Sequence, residues 1–405
     1  MDNHGRARVA HTRRTKEERQ QELELIYKYK AIIDSIRDEA ARGSYRKPRL
    51  FSLTSAVLQI NPEYYTVWNV RRRCLTSGSL SRCSAGSSRS RASPSTSPSS
   101  SDAPTTPPNP GSRTTGPSGT TADATSDGIR SGAEEVLQSE LQFTIPLLLW
   151  RPKCYWIWKH RNWILEQAIL LLPRSVASGI WQAELALTST MLDKDCRNFH
   201  AWGYRRSLVA RLESADLLGE SLAEAEFAYT TQMIKKDLSN FSAWHNRSRL
   251  MHRVLDERGA DDAARAAFLK AELELIQDAL NVGPEDQSLW YYHRFLMAQV
   301  FGSDDGMPTV APNLKLDDRI LYLQQQIEFI KDLLEDFPDI KWPYEALLEY
   351  TSLQASGGSN RRDSDGEKEE EEEKDGPLFW LGKLRELDPM QKGRWDDLQR
   401  QIRAA

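Results

Sequence analysis

Asn198-Phe199-His200-Ala201-Trp202-Gly203-Tyr204-Arg205 and Asn240-Phe241-Ser242-Ala243-Trp244-His245-Asn246-Arg247 share one pattern: an Asn, a Trp four residues later, and an Arg three after the Trp. Outward from these, the Trp and its basic residue recur as Trp68 with Arg71, Trp158 with Arg161, and Trp290 with His293. The last four Trp residues stand 44 (202 − 158), 42 (244 − 202) and 46 (290 − 244) apart. The first gap, 90 (158 − 68), is about two periods and holds a low-complexity insert. A unit of this length cannot bury its apolar face alone and must stack on copies of itself. The repeat therefore predicts an all-α solenoid of helical hairpins.

Aligned on the Trp, the positions three before it are Tyr65, Tyr155, Phe199, Phe241 and Gln287. Six after it stand Cys74, Ile164, Leu208, Leu250 and Leu296; seven after, Leu75, Leu165, Val209, Met251 and Met297. Offsets of three, four and seven share a helical face, so these rows and the Trp are expected to form a buried seam between layers. Arg71, Arg161, Arg205, Arg247 and His293 fall at its rim; the four arginines are expected to pair with acids of a neighbouring helix, the alternative being that they line a concave face. Asn198, Asn240 and Asp286 read as helix caps, and Asn61-Pro62-Glu63 as the start of the helix carrying Trp68. The partner helices read as Glu134–Leu149, Ile180–Leu192, Ser221–Lys235 and Ala263–Leu280.

The remaining sequence divides accordingly. Residues 1–45 form an arm and an amphipathic helix over Thr15–Arg42. Residues 46–355 hold the repeats, interrupted at 76–130 by a Ser-, Pro- and Thr-rich insert. The stretch Thr76–Asp127 has one large aliphatic residue, Leu80, too little apolar surface to offset the entropy of ordering, and is expected to be disordered. Residues 356–376 carry the acidic run Glu369 to Glu373, read as a solvated loop, and 377–405 form a terminal helical hairpin.

The net charge of −4 across 405 residues argues against a protein drawn to nucleic acid by counterion release. Cys74, Cys83, Cys154 and Cys196 contain no Cys-x-x-Cys pair, so neither a metal site nor a disulfide framework is expected. The N-terminal residues carry no apolar signal core, and the longest apolar run, Ile145 to Trp150, is far too short for a transmembrane segment. A cytoplasmic protein is expected. No nucleophile elbow, glycine-rich phosphate loop or metal quartet is present.

The chemistry is expected where one repeat departs from the others. In Arg151-Pro152-Lys153-Cys154-Tyr155, a Lys stands at the mouth of a helix whose N-terminus is already a positive end. His200 takes the matching end of the next unit, and His160, His200, His245 and His293 all lie within three residues of a repeat Trp, hinting at a functional rim.

At these residues the chain resembles the alpha subunits of protein prenyltransferases. The resemblance covers about Phe51 to Leu353 without the insert, with Arg151 where relatives often have Asn and His293 where they have Arg. It implies a right-handed superhelix of helical hairpins, the α-α superhelix, wrapped around a separate beta subunit that carries the catalytic zinc; this chain would hold no cofactor itself. Lys153 matches the family's diphosphate-binding Lys, and Tyr155 and His200 match positions close to it. Lys341-Trp342-Pro343, Leu387-Asp388-Pro389-Met390 and Asp396-Asp397-Leu398 resemble the branch that acts on Rab GTPases presented by an escort protein, using geranylgeranyl diphosphate shared with the beta subunit. Two other expectations stand beside it: the alpha subunit common to the farnesyl and type I geranylgeranyl enzymes, and a non-catalytic helical scaffold.

Overall fold

A computed structural model describes residues 15–81, 121–302, 308–357 and 376–404. Among them every regular element is helical. The chain divides into two units, Met1–Glu220 and Ser221–Ala405. The first contains α1 (Lys16–Ala41), α2 (Pro48–Ile60), α3 (Tyr65–Ser77), α4 (Thr121–Trp150), α5 (Tyr155–Leu171), α6 (Arg174–Lys194) and α7 (Phe199–Leu212). The second contains α8 (Ala223–Lys236), α9 (Phe241–Glu257), α10 (Asp262–Val282), α11 (Gln287–Phe301), α12 (Leu316–Asp336), α13 (Lys341–Gly357), α14 (Pro377–Leu387) and α15 (Lys392–Ala404), with a 3-10 turn at Pro389–Gln391. Within each unit consecutive helices pair as hairpins, and the Trp-bearing helices also touch from one hairpin to the next: α3 with α5, α5 with α7, α9 with α11, α11 with α13.

Local chemistry sets the helix starts. Thr15 closes α1 with a capping box: its hydroxyl accepts from the Glu18 N–H, and its own N–H donates to the Glu18 carboxylate. Asn198 caps α7 by accepting from the N–H groups of His200 and Ala201. Asn240 accepts from Ala243 and Asp286 from Ser288 in the same way. Asn61 acts differently from its expected role. It ends α2 and turns the chain by accepting the Glu63 N–H, and α3 begins four residues later at Tyr65.

All five Trp residues are buried, and all use the same hydrogen bond. Each indole N–H donates to the carbonyl six residues earlier, in the loop before its helix. Trp68 reaches Pro62 (2.8 Å), Trp158 Pro152 (2.8 Å), Trp202 Cys196 (2.8 Å), Trp244 Leu238 (2.8 Å) and Trp290 Pro284 (2.7 Å). Burying the ring and satisfying its only donor at once makes Trp the fitting residue here. The ring face then packs on the next hairpin, Trp68 on His160 at 4.6 Å, Trp158 on Tyr204 at 5.0 Å and Trp244 on Tyr292 at 4.6 Å between centroids. The sixth hairpin, which has no Trp-x-x-Arg, keeps the bond with Tyr344, whose hydroxyl donates to the Pro338 carbonyl at 2.9 Å.

The seam is narrower than the spacing predicts. Positions six and seven after the Trp are buried, apart from a half-buried Leu250. Tyr65, Tyr155, Phe199 and Phe241, three before it, are about half exposed or more. Each is the first residue of its helix, and side chains lean toward the N-terminus, so these rings project past the end of the stack. The boundaries of the insert also differ: Thr76 and Ser77 close α3, Leu80 is buried, and α4 is already helical from Thr121. Most of the expected disordered segment, and residues 358–375 of the acidic loop, lie outside the described residues.

Candidate functional site

Within each unit the basic residue after the Trp reaches into the next hairpin, at Arg71, Arg161, Arg247 and His293. Arg71 of α3 forms a two-pronged pair with Glu140 of α4 (2.8 and 2.5 Å), Arg161 of α5 with Glu184 of α6 (2.6 and 2.6 Å), and Arg247 of α9 with Glu272 of α10 (2.7 and 2.5 Å). The guanidinium also donates back to hydroxyls of its own hairpin: Arg71 to Thr54 and Ser55, Arg161 to Thr144, Arg205 to Ser189, Arg247 to Thr230 and Thr231. A second donor completes each acid. His160 lies 3.0 Å from Glu140, the Tyr204 hydroxyl donates to Glu184 at 2.9 Å and that of Tyr292 to Glu272 at 2.6 Å. Burial works to raise the Glu140 carboxyl, but hydrogen bonds from His160 and Arg71 take it below its ordinary value.

The fifth hairpin replaces this charged pair with a neutral one. His293 contacts Gln326 at 2.9 Å and Tyr350 at 2.8 Å, and burial pushes its imidazole down to about 4. Of the four histidines near repeat Trp residues, His160 and His293 are therefore fully buried core groups, not rim groups. His245 is exposed and His200 half-buried.

Lys153 stands apart from this network, in the loop between α4 and α5. Cys154 takes the capping position that Asn198 holds in α7, but its thiol makes no cap bond. Instead it donates to the Pro62 carbonyl at 3.5 Å, as Asn198 Nδ2 donates to the Pro152 carbonyl at 3.1 Å. Burial pushes the thiol up to about 11, so it stays protonated. The loop is thus tied from both sides while the Lys153 ammonium projects outward, about half exposed, and meets Asp195 Oδ2 at 3.3 Å.

His200, at the start of α7, lies within electrostatic reach of Lys153. Its imidazole is held below its ordinary value by burial and by the Lys153 charge, against an upward pull from Glu63. Its ring lies 4.0 Å from that of Phe199. Tyr155, the first residue of α5, presents an exposed ring edge-on to Trp156 at 5.3 Å, with the Lys159 ammonium 5.5 Å above it. The structure therefore puts His200 within electrostatic reach of Lys153, and places Tyr155, two residues along the chain from Lys153, in an aromatic group with Trp156 and Tyr65. A fixed ammonium next to a helix N-terminus suits an anion. Among the described residues no group of three His, Cys, Asp or Glu is placed to hold a metal ion, and no helix is long and apolar enough to cross a membrane.

Two sets of residues were not singled out from the sequence. One is the acids Glu140, Glu184 and Glu272; each stands eighteen positions before its hairpin's Trp (158 − 140, 202 − 184, 290 − 272), a periodic signal hidden in Glu-rich helices. The other is Asp195, which belongs to no motif that points at Lys153.

The description "Protein prenyltransferase alpha subunit repeat" matches residues 48–78, 137–168, 181–212, 223–254 and 269–300, the five hairpins just described. The chain belongs to this family. Its relatives include the geranylgeranyl transferase type-2 subunit alpha of Schizosaccharomyces pombe, 29% identical over 388 residues that cover 95% of this chain and 93% of that protein. The subunit of the same name from Dictyostelium discoideum is 27% identical over 342 residues, covering 83% and 84%. Among solved structures, Candida albicans protein geranylgeranyltransferase-I complexed with GGPP aligns with a TM-score of 0.54 at 17% identity, over 98% of this chain and 93% of that one, a likeness of fold.

Proposed function

We propose that this prenyltransferase alpha subunit works in a heterodimeric geranylgeranyltransferase that modifies C-terminal cysteines of Rab GTPases, with a beta subunit carrying the lipid pocket and an escort protein presenting the Rab. The support for the branch is the likeness to type-2 alpha subunits over almost the full length of both chains. The support for a part in the chemistry is Lys153, a cation fixed at a helix mouth outside the buried Arg–Glu network.

The reaction is a substitution at C1 of geranylgeranyl diphosphate. The cysteine sulfur forms the new bond to C1, the C1–O bond breaks, and its electron pair leaves with the diphosphate. A zinc ion in the beta subunit would keep the sulfur as thiolate; this chain offers no ligand set for it among the described residues. Negative charge grows on the departing oxygen, so an ammonium already in place lowers the barrier without reorganising water. Lys153 supplies that charge, His200 lines the same mouth, and Tyr155 flanks it with an apolar ring.

With the beta subunit co-expressed, Lys153→Ala is expected to leave the heterodimer intact and to slow lipid transfer roughly tenfold or more, as for a lost transition-state charge contact. Normal turnover would remove Lys153 from the site. Assay of Rab with escort protein against CaaX peptides tests the branch, and preference for the peptides would overturn it.

A further inference from the structure

We propose that Asp195 is a positioning residue for Lys153: its carboxylate holds the ammonium at the mouth of α5 and offsets its charge, so that diphosphate is stabilised as it departs and yet released. The inference rests on the diphosphate role of Lys153.

Asp195 ends α6, and its placement owes nothing to Lys153. Its carbonyl accepts the Asn198 N–H at 3.1 Å, and Oδ1 accepts the Arg197 N–H at 3.3 Å. The residue thereby builds the turn into α7 and is itself immobilised. Oδ2 is left for Lys153, at 3.3 Å. The two partners are unequal: the Asp195 side chain is 14% exposed and that of Lys153 52%. A rigid, mostly buried carboxylate therefore holds a flexible, half-exposed cation, the asymmetry of an anchor and the group it steers. The same turn follows α8, where Asp237 Oδ1 accepts the Ser239 N–H at 3.0 Å. The turn is thus a repeat feature, and only in this hairpin does the preceding loop place a Lys against it, the matching loop positions being Glu63, Arg197, Ser239 and Glu285.

An unopposed ammonium would also hold the diphosphate of substrate and product tightly, and the part of its binding common to all states does not accelerate the chemical step. A carboxylate that shares the cation weakens its hold on ground-state and product diphosphate. Charge on the leaving oxygen is greater in the transition state than in the substrate, so the transition state competes for the ammonium better than bound substrate does, while the carboxylate eases release of the fully charged product.

The experiment uses the heterodimer and competitive inhibition by inorganic diphosphate alongside steady-state turnover. Asp195→Asn keeps the acceptor for the Arg197 N–H and removes the charge; Asp195→Ser does the same with a hydroxyl, should the first variant fail to assemble. Removal of the charge is expected to tighten diphosphate inhibition roughly threefold or more while kcat falls, and Asp195→Glu to restore both in large part. In a Lys153→Ala background the same substitution is expected to change nothing. Unchanged inhibition in Asp195→Asn, with Lys153→Ala still slow, would overturn the positioning role alone. A tightening that persists without Lys153 would overturn it too, because Asp195 would then be acting directly. Lys153→Ala with normal turnover would overturn the underlying diphosphate reading, and this inference with it.

Discussion

His293 and Gln326 show how the repeat tolerates change at a single buried position. Where Arg71, Arg161 and Arg247 meet Glu140, Glu184 and Glu272, the charges cancel in a buried site. At the fifth junction both charges are absent together: a His held neutral by burial faces an uncharged amide. Breaking such a match leaves one uncompensated buried charge, which typically costs about 3–5 kcal/mol. His293→Arg is therefore expected to destabilise by about 3 kcal/mol, and His293→Arg with Gln326→Glu to regain most of that loss, as read from urea unfolding midpoints. Equal losses in the single and double variants would show that charge matching is not what the junction selects.

At the scale of elements, the α3–α4 connection is where sequence and structure part. Composition marks Thr76–Asp127 as unable to bury apolar surface, but both ends of that stretch belong to the fold. Leu80 is 3% exposed, and α4 starts at Thr121. One isolated Leu carries no periodicity, so a composition window absorbs it; only packing against neighbours reveals it. Removal of residues 82–120 is expected to shift the melting temperature by no more than about 2 °C, because the excised residues contain no large aliphatic or aromatic side chain. Extending the deletion to 76–127 removes the buried Leu80 and should cost several degrees more. Equal melting temperatures for the two deletions would show that Leu80 and the first turns of α4 carry no stability.

At the scale of the molecule, each unit buries one neutral imidazole, His160 in the first and His293 in the second, both pushed down to about 4 from 6.5 mainly by desolvation. The unfolded chain binds these protons near pH 6.5, whereas the folded chain resists until about pH 4. Stability is therefore complete above about pH 6.5 and falls as pH drops through that window. Between pH 7 and 5 each histidine is expected to cost about 2 kcal/mol of unfolding free energy, measurable by urea titration at the two pH values. His293→Gln, which keeps the contact with Gln326 polar and uncharged, should lose less over the same interval; an identical loss would show that His293 does not carry the effect.

The repeat is legible from residue spacing alone. A Trp every 42 to 46 residues, a basic residue three beyond it and a polar cap four before three of them specify stacked helical hairpins, because a helix that short buries its apolar stripe only against copies of itself. The sequence also marked Lys153 as the departure from the pattern. Tertiary structure decided which side chains meet. The aromatic row three before each Trp shares its helical face by spacing and is nevertheless exposed, because it begins the helix. The acids that receive the arginines, and the Asp195 carboxylate that receives Lys153, come from the next hairpin, so no spacing within one hairpin pairs them with their partners. Spacing fixes which face of a helix a residue takes, whereas a partner across layers depends on where the neighbouring backbone ends.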